Sequence, residues 1–160
     1  MTTHDHFAAH ELIHRWWYTY DEGYLDVIEG LVTDDCTTSS RTETGMHPRE
    51  EFIRSDCRGR DAVMAWKREH RRHSPYPLRH NAANVHVVAE RGDELDVDSY
   101  LFVTKIVDRQ PSTLSSGLVH WTLRLTADGY RVSAQHTVLD SIESAPFHEV
   151  DFVSAREKAW

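Results

Sequence analysis

The chain has 160 residues, 39% of them apolar and 10% aromatic, a composition that supports a packed core and excludes a disordered chain. Asp and Glu outnumber Lys and Arg by 26 to 18, a formal charge of −8 at pH 7 that argues against a general nucleic-acid binder. No apolar run approaches the ~20 residues that cross a bilayer, and Met1-Thr2-Thr3-His4-Asp5-His6 lacks the basic and apolar segments of a signal peptide, so the expectation is a cytoplasmic protein without membrane partners.

Residues 5–30 read as helix with a break near Gly23, because Ile13, Trp16, Trp17, Tyr20 and Tyr24 recur at the spacing of a core-facing stripe. A short strand is expected over 31–38. A polar stretch over 41–58, carrying Gly45 and Pro48, reads as a loop with room for one helical turn. Helical spacing returns over 61–73 with Val63, Met64 and Trp66 on the apolar side. Ser74-Pro75-Tyr76-Pro77 ends it, since each proline disfavours helix at the residue before it. Segments 78–90, 94–107, 114–126 and 130–142 are then rich in Val, Leu and aromatics. They are separated by Arg91-Gly92-Asp93, by residues 108–111 and by Ala127-Asp128-Gly129, the last a tight hairpin signal. Helices first and antiparallel strands after argue an α+β fold rather than alternating βαβ units. Residues 1–143 form the expected single domain. The tail over 144–160, with Phe147, Phe152 and Trp160, is either a flap over a pocket or a frayed end.

Several local patterns compete for a functional reading. His10-Glu11-Leu12-Ile13-His14 matches HExxH, the zinc-protease helix. Five residues with two wildcards are easily met in a chain with 12 histidines, Trp17 stands where the longer zinc motif needs glycine, and a solvated helix face accounts for the pattern. Lys67-Arg68-Glu69-His70-Arg71-Arg72-His73 is basic but lies late on its helix, where cations favour the dipole, and reads as a solvated helix end. Cys36 and Cys57 are 21 residues apart with no CxxC, so both read as structural.

Three stretches carry a resemblance: Trp16-Trp17-Tyr18-Thr19-Tyr20-Asp21, Leu78-Arg79-His80-Asn81 and Asp128-Gly129-Tyr130-Arg131-Val132. In these, and in element order over residues 8–142, the chain resembles the nuclear transport factor 2-like superfamily, and within it the SnoaL-like polyketide cyclases, scytalone dehydratase and lindane dehydrochlorinase. The resemblance implies a cone-shaped α+β barrel, its N-terminal helices packed on a strongly curved, mostly antiparallel sheet. It also implies an acid–base dyad of Asp21 and His80 in an apolar cone, with no cofactor or metal. A carboxylate on one ring nitrogen fixes the tautomer of a histidine that then accepts a proton at the other. Tyr20 aligns with a pocket tyrosine and Trp16 with an aromatic wall. Trp17 and Tyr24 extend that wall, and Ser40 and Asn84 are candidate substrate contacts. A gapless count from Asp128-Gly129 sends His120 to the pocket as general acid. A one-residue bulge would instead place Trp121 there, and His136 is a further histidine on the last strand. Scytalone dehydratase's second tyrosine falls near Ser39 or Ser40 and its second histidine near Lys105, departures that count against that particular enzyme.

The resemblance therefore implies a dehydratase, isomerase or cyclase acting on a hydroxylated or keto cyclic molecule, aromatic or polyketide-like. A non-catalytic binder, or a scaffold like the β-subunit of ring-hydroxylating dioxygenases, is the alternative. Val85, Val87, Val97, Val103 and Trp121 are expected on an apolar outer face of the sheet, covered in a homodimer or homotrimer.

Overall fold

The computed structural model describes residues 3–149, apart from the Phe147 side chain. Helix α1 (His6–Asp21) starts where the Asp5 side chain accepts the Ala8 N–H at 3.1 Å and runs to the left-handed break at Gly23, φ 76°. Its buried stripe is Ala9, Leu12, Ile13, Trp16, Trp17 and Tyr20. After it come α2 (Leu25–Gly30), β1 (Val32–Thr42), α3 (Glu50–Ile53), β2 (Ser55–Arg58) and α4 (Arg60–His73). The long strands follow: β3 (Leu78–Arg91), β4 (Glu94–Val107), β5 (Gln110–Thr126) and β6 (Gly129–Leu139), then a single 3-10 turn, Phe147–Glu149. No helix among the described residues is long and apolar enough to cross a membrane.

The six strands form one strongly curved mixed sheet in the order β2-β1-β6-β5-β4-β3, with α1 laid against β3 and α4 against β1. Only the β1–β6 pairing is parallel; β2, β3, β4 and β5 pair antiparallel with their neighbours. Strand β1 outruns the short segment expected because β6 and β2 hold it from both sides. The stretch read as a loop therefore contains β2 as well as the turn of helix α3. Strand β5 begins four residues early, through Pro111. There β6 has not yet joined, so the missing proline N–H costs no ladder bond.

The sheet's two faces are the reverse of the expectation. Val97, Val103, Val119, Trp121 and Leu123 point inward and are almost fully buried, while Val85 and Val87 pack partly buried against the same core. Burying Val119, Trp121 and Leu123 stabilises the fold by about 1.5–3 kcal/mol each. Turning the same strand over would bury the His120 ring in their place, away from a polar partner. Trp121 stands edge-on to both Trp16 and Trp17, each at 5.8 Å between centroids, and this trio joins α1 to the sheet. The outer face carries Tyr100 and Phe102 instead, each 46% exposed.

Candidate functional site

The last turn of α1 and the first residues of β3 meet at one corner of the sheet. Trp17, Tyr20 and Asp21 share one face of α1 at i, i+3 and i+4. Asp21 is 3% exposed, and its two carboxylate oxygens divide their work. One accepts the His80 ring Nδ1–H at 2.6 Å and the other accepts the His80 backbone N–H at 2.6 Å. A carboxylate only accepts, so Nδ1 carries the hydrogen in the neutral ring and Nε2 is left as the lone-pair nitrogen. Trp17 stacks on the imidazole at 4.6 Å and 8°, and Tyr20 stands edge-on to it at 5.5 Å. From α4, Arg71 donates to the Tyr20 and Asp21 carbonyls at 3.2 and 2.8 Å, which closes the orphaned end of α1 and anchors the Asp21 backbone.

His80 opens onto a cavity of about 200 Å³ between the helices and the concave side of the sheet. Its apolar wall is Trp17, Phe52, Trp66, Leu101, Val103 and Leu114, and Ser40, Thr137 and Asp140 are among its polar positions. Helix α4 contributes Lys67 and His70. The His70 ring lies between Phe52 at 4.4 Å and Trp66 at 4.6 Å, and its Nδ1 accepts the Tyr20 hydroxyl at 2.5 Å. That bond needs a neutral imidazole. Burial, helped by the positive charge of Lys67, pushes the His70 pKa down to about 3, so the ring stays neutral. Burial likewise holds the Tyr20 phenol well above its ordinary range, so its proton stays in place. Lys67 is 4% exposed. Its amine donates to Gln135 Oε1 at 2.6 Å and sits 5.0 to 5.7 Å from the Trp16, Trp66 and Tyr20 ring centres, and burial pushes its pKa down to about 7.

Among the candidates from sequence, Trp17, Tyr20, Ser40 and His80 line the cavity, with Asp21 directly behind His80. Ser40 turns its hydroxyl to the Ile53 carbonyl and to Ser55 Oγ, which ties β1 to α3 and β2. Trp16 and Trp121 belong to the core behind the wall. His120 is placed otherwise: it lies on the outer face, where its Nδ1 pairs with Asp98 at 2.6 Å, because Val119 and Trp121 take the inward positions. His136 stands opposite it on β6 and bonds Ser39. Asn84 is exposed at an irregularity of β3 with φ 53°, which breaks the alternation that would have carried it to the His80 face. Tyr24 falls beyond the Gly23 break, so it leaves the α1 stripe and is 51% exposed beside Tyr18. The side chain of Phe147, and Phe152 and Trp160, lie outside the described residues. Glu11 and His14 face outward on α1 with His10 half-buried, and no group of three metal-ligating side chains occurs among the described residues.

Sequence reasoning missed Lys67, His70 and Gln135. For Lys67 a signal was present: it stands three and four residues beyond Met64 and Val63, on the apolar stripe of α4 and not on its solvated face. Gln135 had no such signal, since the extra residue Ser133 shifts the alternation of β6 between Val132 and Ala134.

The sequence profile described as a SnoaL-like domain matches residues 1–136. No curated protein matches the chain. Among solved structures, an NTF2-like protein with a cystatin-like fold from Novosphingobium aromaticivorans is similar at TM-score 0.69 and 20% identity, over 96% of this chain and 87% of its own. The β-subunit of benzoate 1,2-dioxygenase from Burkholderia mallei is similar at TM-score 0.69 and 15% identity, over 94% of this chain and 100% of its own. A Mycobacterium tuberculosis protein of unknown function is similar at TM-score 0.69 and 17% identity, over 96% and 94%. Identities this low carry the fold alone.

Proposed function

This chain belongs to the SnoaL-like domain family, and from that premise we propose that it is a cofactor-independent dehydratase, isomerase or cyclase acting on a hydroxylated or keto cyclic molecule. The observation that carries the reading is the 2.6 Å hydrogen bond from His80 Nδ1 to Asp21 Oδ1, with His80 at the wall of a largely apolar cavity. His80 Nε2 is the base that takes a proton from carbon beside a carbonyl. Asp21 is the positioning residue that holds the tautomer and stabilises the imidazolium as it forms. Loss of hydroxide as water, double-bond migration and ring closure all follow from that proton abstraction. Tyr20, whose hydroxyl stays protonated and donates to His70, stands edge-on to the His80 ring and orders the wall beside it.

A panel of hydroxylated cyclic ketones assayed with wild type, His80→Gln and Asp21→Asn tests the reading. His80→Gln is expected to lower kcat about a hundredfold to ten-thousandfold. Asp21→Asn is expected to lower kcat with little change in KM, and to shift the pH profile. Turnover that survives both substitutions in folded protein defeats the acid–base reading.

The likeness to dioxygenase β-subunits favours one alternative, a non-catalytic scaffold, for which copurification with an iron–sulfur α-subunit is the expected outcome. A homodimer or homotrimer covering the outer sheet face is part of the main proposal.

A further inference from the structure

The polar groups left over in the cavity are of one kind. Gln135 is 3% exposed and lines the cavity, and its amide nitrogen Nε2 has no hydrogen-bond partner among the described residues. Its orientation is set by Lys67, whose amine donates to Oε1 at 2.6 Å and so turns the amide hydrogens away from itself. Trp17 lines the same cavity, and its buried indole Nε1–H also lacks an acceptor among the described residues. Buried donors without acceptors are costly and rare in folded proteins, because the solvation they give up is not replaced. A ligand that satisfies them must bring acceptor oxygens. Beside these donors stands an amine ringed by Trp16, Trp66 and Tyr20, with Gln135 its hydrogen-bond partner and no carboxylate in an ion pair with it among the described residues.

We propose that Lys67 and Gln135 recognise an oxygen that carries negative charge, so that the cavity takes a cyclic compound as its phenolate or enolate, with the charged oxygen accepting from Lys67 Nζ and Gln135 Nε2. The inference rests on the reading of the cavity as the reaction site, and it deepens that reading. Proton abstraction by His80 beside a carbonyl leaves charge on the carbonyl oxygen, and donors already aimed at that oxygen stabilise it without reorganisation. The substrate class is then narrowed to enolisable cyclic ketones and phenols. When a phenol binds, the proton it gives up resides on Lys67 as ammonium, and no other group changes charge. Burial of the amine, which favours its neutral form in the empty cavity, makes Lys67 ready to accept that proton.

4-Nitrophenol tests this directly, because its phenolate is yellow and its phenol is not. The titration is run with wild type slightly below the probe's own pKa, following absorbance and affinity together. The expected result is a bound probe in the yellow phenolate form. Lys67→Met, a near-isosteric apolar change, is expected to weaken binding about tenfold or more and to leave any bound probe colourless. Gln135→Leu keeps the amine and is expected to weaken binding by a smaller factor, so the test survives even if Lys67→Met fails to fold. A probe bound yellow by wild type but colourless by His80→Gln would put the phenol's proton on His80 and overturns the proposal. A probe bound to wild type as the colourless phenol, or affinity unchanged in both Lys67→Met and Gln135→Leu, overturns the proposal. The acid–base reading stands or falls separately, on turnover by His80→Gln.

Discussion

Lys67 and His70 bring two basic groups into an apolar cavity, and burial lowers both pKa values. The signs can be worked out. Unfolded Lys67 takes its proton below its ordinary 10.5, whereas in the folded chain it does so only near 7. Its contribution to stability is therefore full above 10.5 and is lost as the pH falls towards 7. For His70 the same loss runs from about 6.5 down to about 3, as the unfolded ring charges and the folded one resists. Lys67→Met is expected to flatten the stability profile between pH 7 and 10.5, and His70→Asn to flatten it between about 3 and 6.5, in urea unfolding series across pH. Profiles parallel to wild type would mean that neither group is desolvated as placed. At this scale the sequence was partly legible. Asp21, His80 and Tyr20 came through the resemblance carried by short stretches, whereas Lys67 was absorbed into a basic run read as a solvated helix end, from which His70 and Arg71 also turn inward.

At Gly117, strand β5 leaves no room for a side chain against β6. A Cβ built there would lie 2.3 Å from the Val138 carbonyl oxygen and 2.8 Å from Leu139 Cα, both backbone atoms that cannot swing aside. Gly117→Ala is expected to cost about 1–3 kcal/mol of stability as β5 and β6 are forced apart, and thermal melts would measure it. A melt unchanged from wild type would mean the strands are further apart than this. The substitution also tests the site, because Leu139 and Thr137 on the displaced strand line the cavity. At the element scale, helical stripes and the Asp-Gly hairpin were readable locally. Strand facing was not, because a single shifted residue exchanges the two sides of everything beyond it. Asn84 and Ser133 each sit at such a shift.

For the whole molecule, the inward turn of Val97, Val103 and Trp121 removes the apolar outer face first expected and leaves Tyr100 and Phe102 in its place. The proposed homo-oligomer therefore forms through these two aromatics, which flank Leu118 and Ser116 of β5 across the ladder. Light scattering at micromolar concentration is expected to give a dimer or trimer for wild type and a monomer for the doubly substituted Tyr100→Glu, Phe102→Glu chain. A wild-type monomer sinks the proposal. With −8 formal charge, the monomer would remain dispersed rather than precipitate.

The order of elements, the α1 stripe, the position of the hairpins and the pairing of Asp21 with His80 were within reach of the sequence. The first three rest on local periodicity and turn chemistry, the last on the resemblance to the SnoaL-like enzymes. The tertiary structure alone decided which face of β5 turned inward, that β1 runs parallel to β6, and that α4 carries its lysine into the cavity against Gln135. Those outcomes depend on contacts between residues far apart in the chain, and on bulges that reset strand alternation. Burial then decided the rest: the same amine that is an ordinary cation on a solvated helix has its pKa pushed down to about 7 beside Trp16 and Trp66.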